Sequence, residues 1–233
     1  MIKLDHVVYF TDKLPAEVVE DQISLGWHTV AGGSHEKWGT HNALMYVNNA
    51  YIEWLAVENQ GIAEEANHQL VDLLLRDISK GEDWGTTCFS VEGLNAFNKK
   101  LKSVGYKTSG VLEAGRKTID GDIRKWKMLF VDQELSSKLP LPFFIEWAEE
   151  EEERFTGLRK DGTITPDNER LAITECHFSV SQPAKEVARW ATLLSAEVSD
   201  KNTIKLPNIL LKFIRKESVS GDERLSDVVI EHM

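Results

Sequence analysis

Cysteine is scarce in this chain of 233 residues, which contains only Cys88 and Cys176. The two lie in separate strand-like segments, and no Cys-x-x-Cys pair occurs. This pattern supports neither a disulfide framework nor a zinc cluster held by thiolates. The N-terminal residues also lack the basic head, apolar run and small-residue cleavage site of a secretory signal. We therefore expect a protein of the reducing cytoplasm.

Basic residues are also few, because the chain has 27 Lys and Arg against 38 Asp and Glu. Its formal net charge is -11. An acidic surface repels phosphate backbones and anionic membranes, so we expect no nucleic-acid partner and no membrane association. No apolar stretch approaches the roughly 20 residues that cross a bilayer. The 42% of hydrophobic residues is ample for a globular core.

A repeated pattern organises the rest of the chain. Three segments carry an acidic residue in the same place: Tyr51-Ile52-Glu53-Trp54, Phe144-Ile145-Glu146-Trp147 and Val229-Ile230-Glu231-His232. Three strand-like segments open the repeats, and their alignment places His6, Cys88 and His177 in register. Between opener and closer, each unit has the signals of one helix followed by strands. The repeat predicts an α+β protein made of βαβββ modules.

The pattern divides the chain into five parts. Residues 1–60 form a first module, residues 61–82 a connecting amphipathic helix, and residues 83–150 a second module. Residues 151–170 are rich in charge and are interpreted as an acidic, solvated linker. Residues 171–233 form a third, partial module.

Strand alternation predicts which of the repeated residues share a face. In the opening strands the apolar residues should pack under a helix, while His6, Cys88 and His177 take the other side. In the closing strands Glu53 and Glu146 are expected to face the same hollow. A single strand histidine or glutamate is usually structural or solvent-facing, but recurrence in register favours a function in the first module. Shared ancestry of duplicated modules could preserve the same pattern without chemistry.

Two stretches resemble a known family. One is Gly32-Gly33-Ser34-His35-Glu36-Lys37-Trp38-Gly39-Thr40-His41-Asn42-Ala43-Leu44, followed by the closing segment of the first module. The other combines Arg116, Asp120-Gly121 and Trp126 with Pro142-Phe143-Phe144-Ile145-Glu146-Trp147. Together they are similar to the glyoxalase-like domain family of the vicinal oxygen chelate (glyoxalase/bleomycin resistance/dioxygenase) superfamily. The resemblance covers roughly residues 3–150.

The resemblance implies two modules paired into a half-open barrel around a cavity. In such proteins the opening and closing strands supply four ligands to a divalent metal, and the matching positions here are His6, Glu53, Cys88 and Glu146. Cys88 departs from the pattern, because a neutral thiol is a poor ligand for hard ions. His6, Glu53 and Glu146 still form a reasonable set for one divalent ion, such as Zn, Fe, Mn or Ni. With a metal, we expect Lewis-acid stabilisation of an oxyanion, with Glu146 moving a proton.

Without a metal, the glycine-rich stretch of the first module, which is interpreted as a loop, becomes the expected centre of the site. His41 is then expected to exchange protons near neutral pH. Residues from this stretch and from the second module would bind the substrate: His35, Trp38, Thr40, Asn42, Arg116 and Trp126. Arg116 could hold an anionic group through paired hydrogen bonds, and Trp126 could form an aromatic wall. A surface salt bridge for Arg116 and plain core packing for Trp126 are the alternatives.

The sequence thus predicts a small-molecule pocket and a metabolic lyase, isomerase or hydrolase acting on a small oxygenated substrate. The alternative is a non-catalytic protein that binds and sequesters a small molecule. His177 and Glu231 repeat the residues of the first module without a fourth module to face. We therefore expect a homodimer through the third module, with capping of the first two modules as the other possibility.

Overall fold

A computed structural model of the protein describes residues 1–117, 123–217 and 221–233, with the side chains of residues 116, 117 and 123 outside that description. The first module comprises β1 (Ile2–Phe10), α1 (Pro15–Ser24), β2 (Val30–His35), β3 (Thr40–Tyr46) and β4 (Tyr51–Val57). Two connecting helices follow, α2 (Gln60–Glu65) and α3 (Gln69–Ile78). The second module comprises β5 (Asp83–Val91), α4 (Leu94–Ser103), β6 (Thr108–Lys117), β7 (Ile123–Val131) and β8 (Phe143–Trp147).

The remaining elements belong to a further connection and to the third module. The connection contains α5 (Glu151–Lys160) and a 3-10 turn at Asn168–Arg170. The third module comprises β9 (Leu171–Val180), α6 (Pro183–Leu194), β10 (Val198–Asp200), β11 (Thr203–Leu206), β12 (Ile209–Arg215) and β13 (Arg224–His232). Within the described ranges, no helix combines the length and apolar character that a bilayer crossing requires.

The first two modules share one curled sheet of eight strands in the order β2-β3-β4-β1-β5-β8-β7-β6. The opening strands β1 and β5 lie antiparallel at its centre. Each pairs in parallel with the closing strand of its own module, which is β4 or β8. This arrangement is the half-open barrel of paired βαβββ modules that the sequence predicts, and the α+β fold class is confirmed.

The outer side of this sheet carries the largest apolar core. Val7 and Phe89 of the central strands point to this side and are fully buried. Helix α4 presents Leu94, Phe97 and Leu101 to the same core at helical spacing. The outer side is therefore the face that alternation predicts to pack under helices.

Two helices fill most of the inner, concave side of the sheet. Helix α3 places Leu70 and Leu74 against inward-facing apolar residues of the central strands. Helix α5 buries Leu158 against the first module and also buries Arg154. The charged stretch over residues 151–170 is thus a covering element rather than the solvated linker that its composition indicates.

A charged network ties α3 to the third module. Arg224, at the start of β13, donates to the carboxylate of Asp77 in α3 at 2.7 and 3.1 Å. Asp222 accepts from Arg224 at 3.1 Å, from Arg76 at 2.7 Å and also from Lys80. The hydrogen bond from Arg76 is the largest cause that lowers the pKa of Asp222 from 3.8 to about 2. Asp222 is therefore ionised at neutral pH and holds its partners electrostatically.

The third module forms a second sheet of five strands in the order β10-β11-β12-β9-β13. Trp190 of α6 contacts Phe178 and Phe213 of this sheet. The same indole also contacts Phe89 on the outer side of the first sheet. Aromatic packing therefore joins the third module to the outer core.

Strand pairing in the third module corrects one predicted equivalence. β12 pairs in parallel with β9, as β4 does with β1, and β13 pairs antiparallel with β9, as β5 does with β1. The third module therefore closes with β12, and β13 takes the place of a next opening strand. The match of Glu231 with Glu53 is wrong, because Ile214 holds that position opposite Ser179, two residues beyond His177.

Candidate functional site

A cavity of about 60 Å³ lies on the inner side of the first sheet, beneath α3. Its walls come from both modules and from α3: His6, His35, Trp38, Thr40, Asn42, Leu44, Tyr46, Tyr51, Glu53, Leu55, His68, Leu70, Val71, Trp126, Met128, Phe143, Ile145 and Trp147. Aromatic and aliphatic walls with a few convergent polar groups are typical of small-molecule sites. This volume corresponds to about four water-sized positions.

Asp5 and His6 meet at one end of the cavity because of a β-bulge. The pairing of β1 with β5 steps from Leu4 opposite Phe89 to His6 opposite Cys88, which leaves Asp5 as the extra residue. The bulge buries both neighbouring side chains, with only 6% of Asp5 and 3% of His6 exposed. The ring Nδ1 of His6 lies 2.8 Å from Oδ1 of Asp5.

The Asp5 carboxylate is held by two further groups. The indole Nε1 of Trp147 donates to Oδ2 at 2.8 Å, and the Arg154 guanidinium approaches the same oxygen at 4.0 Å. Burial acts to raise the pKa of Asp5, but the hydrogen bond and charge of His6, with Arg154 and Trp147, hold it below its usual 3.8. Asp5 is therefore a carboxylate at neutral pH, and Nδ1 of His6 must carry the hydrogen that it donates.

The other edge of the His6 ring faces Glu53. Nε2 of His6 lies 3.5 Å from Oε2 of Glu53, which is longer than an ordinary hydrogen bond. Oε1 of Glu53 accepts from the side-chain amide of Asn42 at 2.6 Å. A Cβ at Gly32 would lie 2.0 Å from Oδ1 of Asn42, so only glycine lets this amide take its place. Asp5, His6, Glu53 and Asn42 thus lie in one row, in which His6, Glu53 and Asn42 line the cavity and Asp5 lies behind His6.

The second module contributes no matching carboxylate. In the first module, Glu53 lies opposite Val8, two residues beyond His6. In the second, Ile145 lies opposite Ser90, two residues beyond Cys88. Ile145 is therefore the structural counterpart of Glu53. The predicted match with Glu146 is one residue out of register, and such a shift moves a side chain to the opposite face of a sheet.

Glu146 points to the outer side of the sheet. Its Oε1 accepts from the backbone N–H of Gly93 at 2.7 Å and of Leu94 at 3.3 Å, at the start of α4. Its Oε2 lies 3.4 Å from Nζ of Lys127. Carboxylates at a helix N-terminus satisfy free backbone donors and stabilise the helix. The expectation that Glu146 joins His6 and Glu53 as catalyst or metal ligand is therefore wrong.

The residues at the expected metal positions do not fit a divalent ion. Burial raises the pKa of the Cys88 thiol well above its ordinary value, and the charges of Asp5 and Glu53 raise it further. A protonated thiol is a poor ligand, and Ile145 offers no donor atom. One ligand atom each from Asp5, His6 and Cys88 lie within 4.8 Å of one another. In that group, however, the Asp5 carboxylate is already bound to His6 and Trp147.

The predicted glycine-rich stretch forms the hairpin of β2 and β3 rather than a loop. Thr40 and Asn42 of β3 line the cavity, and His41 between them points to the outer side, with Nδ1 3.9 Å from Glu58. The catalytic placement of His41 is therefore wrong, because alternation turns it away. The structure brings five predicted substrate-binding residues to the cavity: His35, Trp38, Thr40, Asn42 and Trp126. The Arg116 side chain and Asp120-Gly121 lie outside the described residues.

Sequence reasoning missed His68, which precedes α3 and lines the cavity. Its ring contacts Trp38 at 4.4 Å and Phe130 at 4.8 Å between centroids. Only 5% of the residue is exposed, and among the described residues neither ring nitrogen has a hydrogen-bond partner. Burial, followed by the nearby His35, lowers the pKa of His68 from 6.5 to about 4. The feature of the sequence that could have identified His68 is its position directly before a helix with apolar residues along one face.

The sequence matches the family model of a glyoxalase-like domain over residues 4–194. The chain belongs to the glyoxalase-like domain family. The match extends past the residues that carry the resemblance, through β9 and α6 of the third module. No curated protein matches this glyoxalase-like chain.

Solved structures share the fold of this glyoxalase-like protein. A hypothetical protein from Staphylococcus aureus is 21% identical, and the alignment covers 100% of this chain and 92% of that one with a TM-score of 0.80. Methylmalonyl-CoA epimerase from Mycobacterium tuberculosis is 18% identical, with 63% of this chain and 89% of that one covered and a TM-score of 0.43. The fold expected for a glyoxalase-like domain protein is confirmed. At these identities the chemistry has to be argued from the cavity itself.

Proposed function

We propose that this glyoxalase-like protein is an isomerase or lyase that moves a proton at a carbon next to a carbonyl group of a small oxygenated compound. The observation that carries the proposal is the buried row of Asp5, His6 and Glu53, of which His6 and Glu53 line the cavity. An imidazole and a carboxylate that converge on one cavity are candidates for general acid–base catalysis.

Glu53 is proposed as the base, because its Oε2 makes no short hydrogen bond to His6 and faces the cavity. It takes the proton from the substrate carbon, and the electron pair of that C–H bond moves to the carbonyl oxygen. His6, protonated at Nε2, donates to the developing oxyanion. If the first carbon carries a hydroxyl group, Glu53 returns the proton to the former carbonyl carbon while the hydroxyl proton passes to His6, so the first carbon becomes the new carbonyl and the isomerisation is complete. In a lyase reaction the oxygen instead gives its proton back to His6, the carbonyl re-forms, and the electron pair expels a leaving group from the carbon on the far side of the first carbon.

Asp5 and Asn42 are proposed to position the two reacting groups. Asp5 keeps the Nδ1 hydrogen of His6 in place and stabilises the ring when it is positively charged. Asn42 holds one oxygen of Glu53, so the other oxygen is directed at the substrate. Helix α3 and the aromatic walls exclude water, which strengthens each electrostatic interaction.

Exchange of carbon-bound hydrogen in D₂O, followed by proton NMR, tests this proposal even when the product is unidentified. Hydroxyacetone, glycolaldehyde and pyruvate serve as probes, because each has hydrogens on a carbon next to its carbonyl group. We expect the protein to accelerate exchange for at least one probe, and Glu53→Gln and His6→Gln to lose about 100-fold or more. His41→Gln, on the outer side of β3, is the matched control and keeps the wild-type rate. Unchanged exchange in Glu53→Gln, or none with any probe, overturns the proposal.

A non-catalytic binding protein is the second candidate, favoured by the mainly apolar lining of the cavity. Calorimetry separates the two functions. A ligand that binds the wild type and Glu53→Gln equally well, with no exchange in either, supports sequestration. Binding accompanied by exchange that depends on Glu53 supports the enzyme.

We also propose that the third module joins two copies into a homodimer and that the protein works in the cytoplasm. The dimer is supported by Ile214, an apolar residue that is 46% exposed on β12 where the first module has Glu53. Light scattering of Ile214→Asp, with Val104→Asp as the control at another exposed apolar site, tests it: only the former should become monomeric. A monomeric wild type contradicts the dimer. The cytoplasmic assignment is supported by two buried, unpaired cysteines.

A further inference from the structure

The end of the cavity opposite the acid–base line is marked by His68. Ring contacts run from His6 to Phe143 at 5.4 Å, from Phe143 to Phe130 at 5.2 Å, and from Phe130 to His68 at 4.8 Å. His6, Phe143 and His68 line the cavity, and Phe130 connects Phe143 to His68 behind its wall. A buried ring with both nitrogens unpartnered among the described residues carries a desolvation cost that a bound polar group would relieve.

The chemistry of His68 restricts what can relieve that cost. A neutral imidazole presents one donor and one acceptor, so its best partner is a group that also donates and accepts. A hydroxyl group meets this requirement, whereas a carboxylate can only accept. His68 is 5% exposed and packed against Trp38, so a charged partner would also lose most of its hydration.

The charge of the cavity also disfavours an anion. Among the described residues that line it there is no Lys or Arg. At the other end the His6 ring is flanked by the carboxylates of Asp5 and Glu53, so the group of three is not positive even when the ring is protonated. Arg154 lies beside Asp5 and compensates that carboxylate. A substrate carboxylate would therefore be buried beside Glu53 without a cation of its own.

We infer that the ligand is an uncharged hydroxy-carbonyl compound of about four to six non-hydrogen atoms, whose hydroxyl group is bound by His68 while its carbonyl lies at His6 and Glu53. This inference rests on the proposed function for the position of the carbonyl. It names the substrate class of the site and makes His68 a residue that determines specificity. The cavity of about 60 Å³ sets the size.

Three probes of similar size separate the contributions. Hydroxyacetone carries the hydroxyl and the carbonyl, butanone replaces the hydroxyl by a methyl group, and glycolate is an anion. Their binding is measured by calorimetry on the full chain. For the wild type we expect hydroxyacetone to bind about tenfold or more tightly than butanone, and glycolate to show no saturable binding.

His68→Phe keeps the ring contacts with Trp38 and Phe130 and removes both nitrogens. We expect it to bind hydroxyacetone no better than butanone, with butanone unchanged from the wild type. His68→Gln, which can donate and accept, should recover part of the preference, and it replaces the Phe variant if that variant does not fold. His28→Phe is the control, because His28 contacts the backbone oxygen of Gly162 and does not line the cavity. This variant should keep the full preference for hydroxyacetone.

The outcomes distinguish this inference from the proposed function. Glycolate binding as tight as that of hydroxyacetone, a hydroxyl preference that survives His68→Phe, or no binding of any probe overturns the inference. If pyruvate hydrogens exchange and the exchange depends on Glu53, the proposed function stands. The inference that the ligand is uncharged is then wrong. A His68-dependent hydroxyl preference without Glu53-dependent exchange would leave the ligand class standing while the enzymatic proposal is wrong.

Discussion

His6 donates through Nδ1 to the carboxylate of Asp5 across 2.8 Å, although the two residues are adjacent in one strand. In a regular strand their side chains would point to opposite faces. The bulge between Leu4 and His6 removes that restriction and creates the pair. The pair fixes the orientation of the imidazole, which leaves Nε2 as the only ring nitrogen that can act on a ligand.

Asp5→Asn should destabilise the protein by about 3 kcal/mol at neutral pH, because it leaves the positive groups around a buried carboxylate uncompensated. The folded pKa of Asp5 lies below 3.8, so its contribution is present above pH 3.8 and is lost as the pH falls through the lower, folded value. The stability difference between wild type and variant should therefore narrow below about pH 3.8. Urea unfolding at pH 7, 5 and 3 measures it.

Asp167→Asn is the control for that experiment, since the Asp167 side chain is 85% exposed and pairs only with Arg170 in the described structure. We expect a change below about 1 kcal/mol at each pH. An Asp5→Asn variant that is as stable as the wild type at pH 7 would show that the pair with His6 contributes little to folding.

His68→Phe should remove an acid-dependent loss of stability. The pKa of His68 is about 4 in the folded protein and 6.5 in the unfolded chain, so the unfolded state takes up a proton first as the pH falls from 6.5 to 4. Wild-type stability should decline over this window by up to about 3 kcal/mol, and the decline is complete below pH 4. The variant should show a flatter profile between pH 6.5 and 4 in urea unfolding. His232→Phe, at an exposed position, should retain the wild-type slope.

Arg224→Ala should loosen α3. Arg224 is 9% exposed and bridges Asp77 and Asp222. Its removal leaves these two partly buried carboxylates with cationic partners from α3 alone and breaks their link to the third module. We expect a loss of about 3 kcal/mol or more and faster amide hydrogen exchange within Gln69–Ile78. Arg170→Ala, whose side chain is 70% exposed, should change neither quantity appreciably. Exchange in α3 that is unaffected by Arg224→Ala would show that the helix is held by its leucines alone.

The register of β8 makes a prediction about metals. The wild type should bind no divalent ion at His6 and Glu53, as judged by elemental analysis after dialysis against Zn²⁺ or Mn²⁺. Cys88→His combined with Ile145→Glu completes four ligands at the matched positions and should bind about one equivalent. Cys88→His alone should bind more weakly, and the melting temperature of each variant establishes that it folds. One equivalent of metal in the wild type that is lost in Glu53→Ala contradicts this interpretation of the site.

The modular architecture follows from the sequence because apolar alternation and helical spacing repeat along the chain. These local patterns place Val7 and Phe89 under helices. The positions of Thr40 and Asn42 in the cavity wall are predictable for a related reason. The two residues are two apart on one strand, so their side chains point to the same face. The prediction for His41 is wrong because it treats the stretch as a loop, where alternation gives no information.

Other parts of the site depend on information that alternation does not contain. Pairing with a strand that is distant in the sequence determines the bulge at Asp5. It also determines the register of β8, which places Ile145 rather than Glu146 opposite Ser90. Their energetic basis is the packing of the whole sheet rather than the local sequence. Likewise, α5 buries Arg154 and Leu158, with Leu158 packed against the first module, although its composition is that of a solvated helix.

Helix α3 determines the scale of molecule that this protein can accept. A trough of eight strands would be open to long, extended ligands, but Leu70, Leu73 and Leu74 of this helix pack into it. What is left admits only a fragment of a few atoms, whatever hydrogen bonds the walls provide. The size of a molecule therefore decides whether it can enter before any hydrogen bond can form. Replacing one leucine of this helix by alanine would let larger molecules in without changing a polar contact.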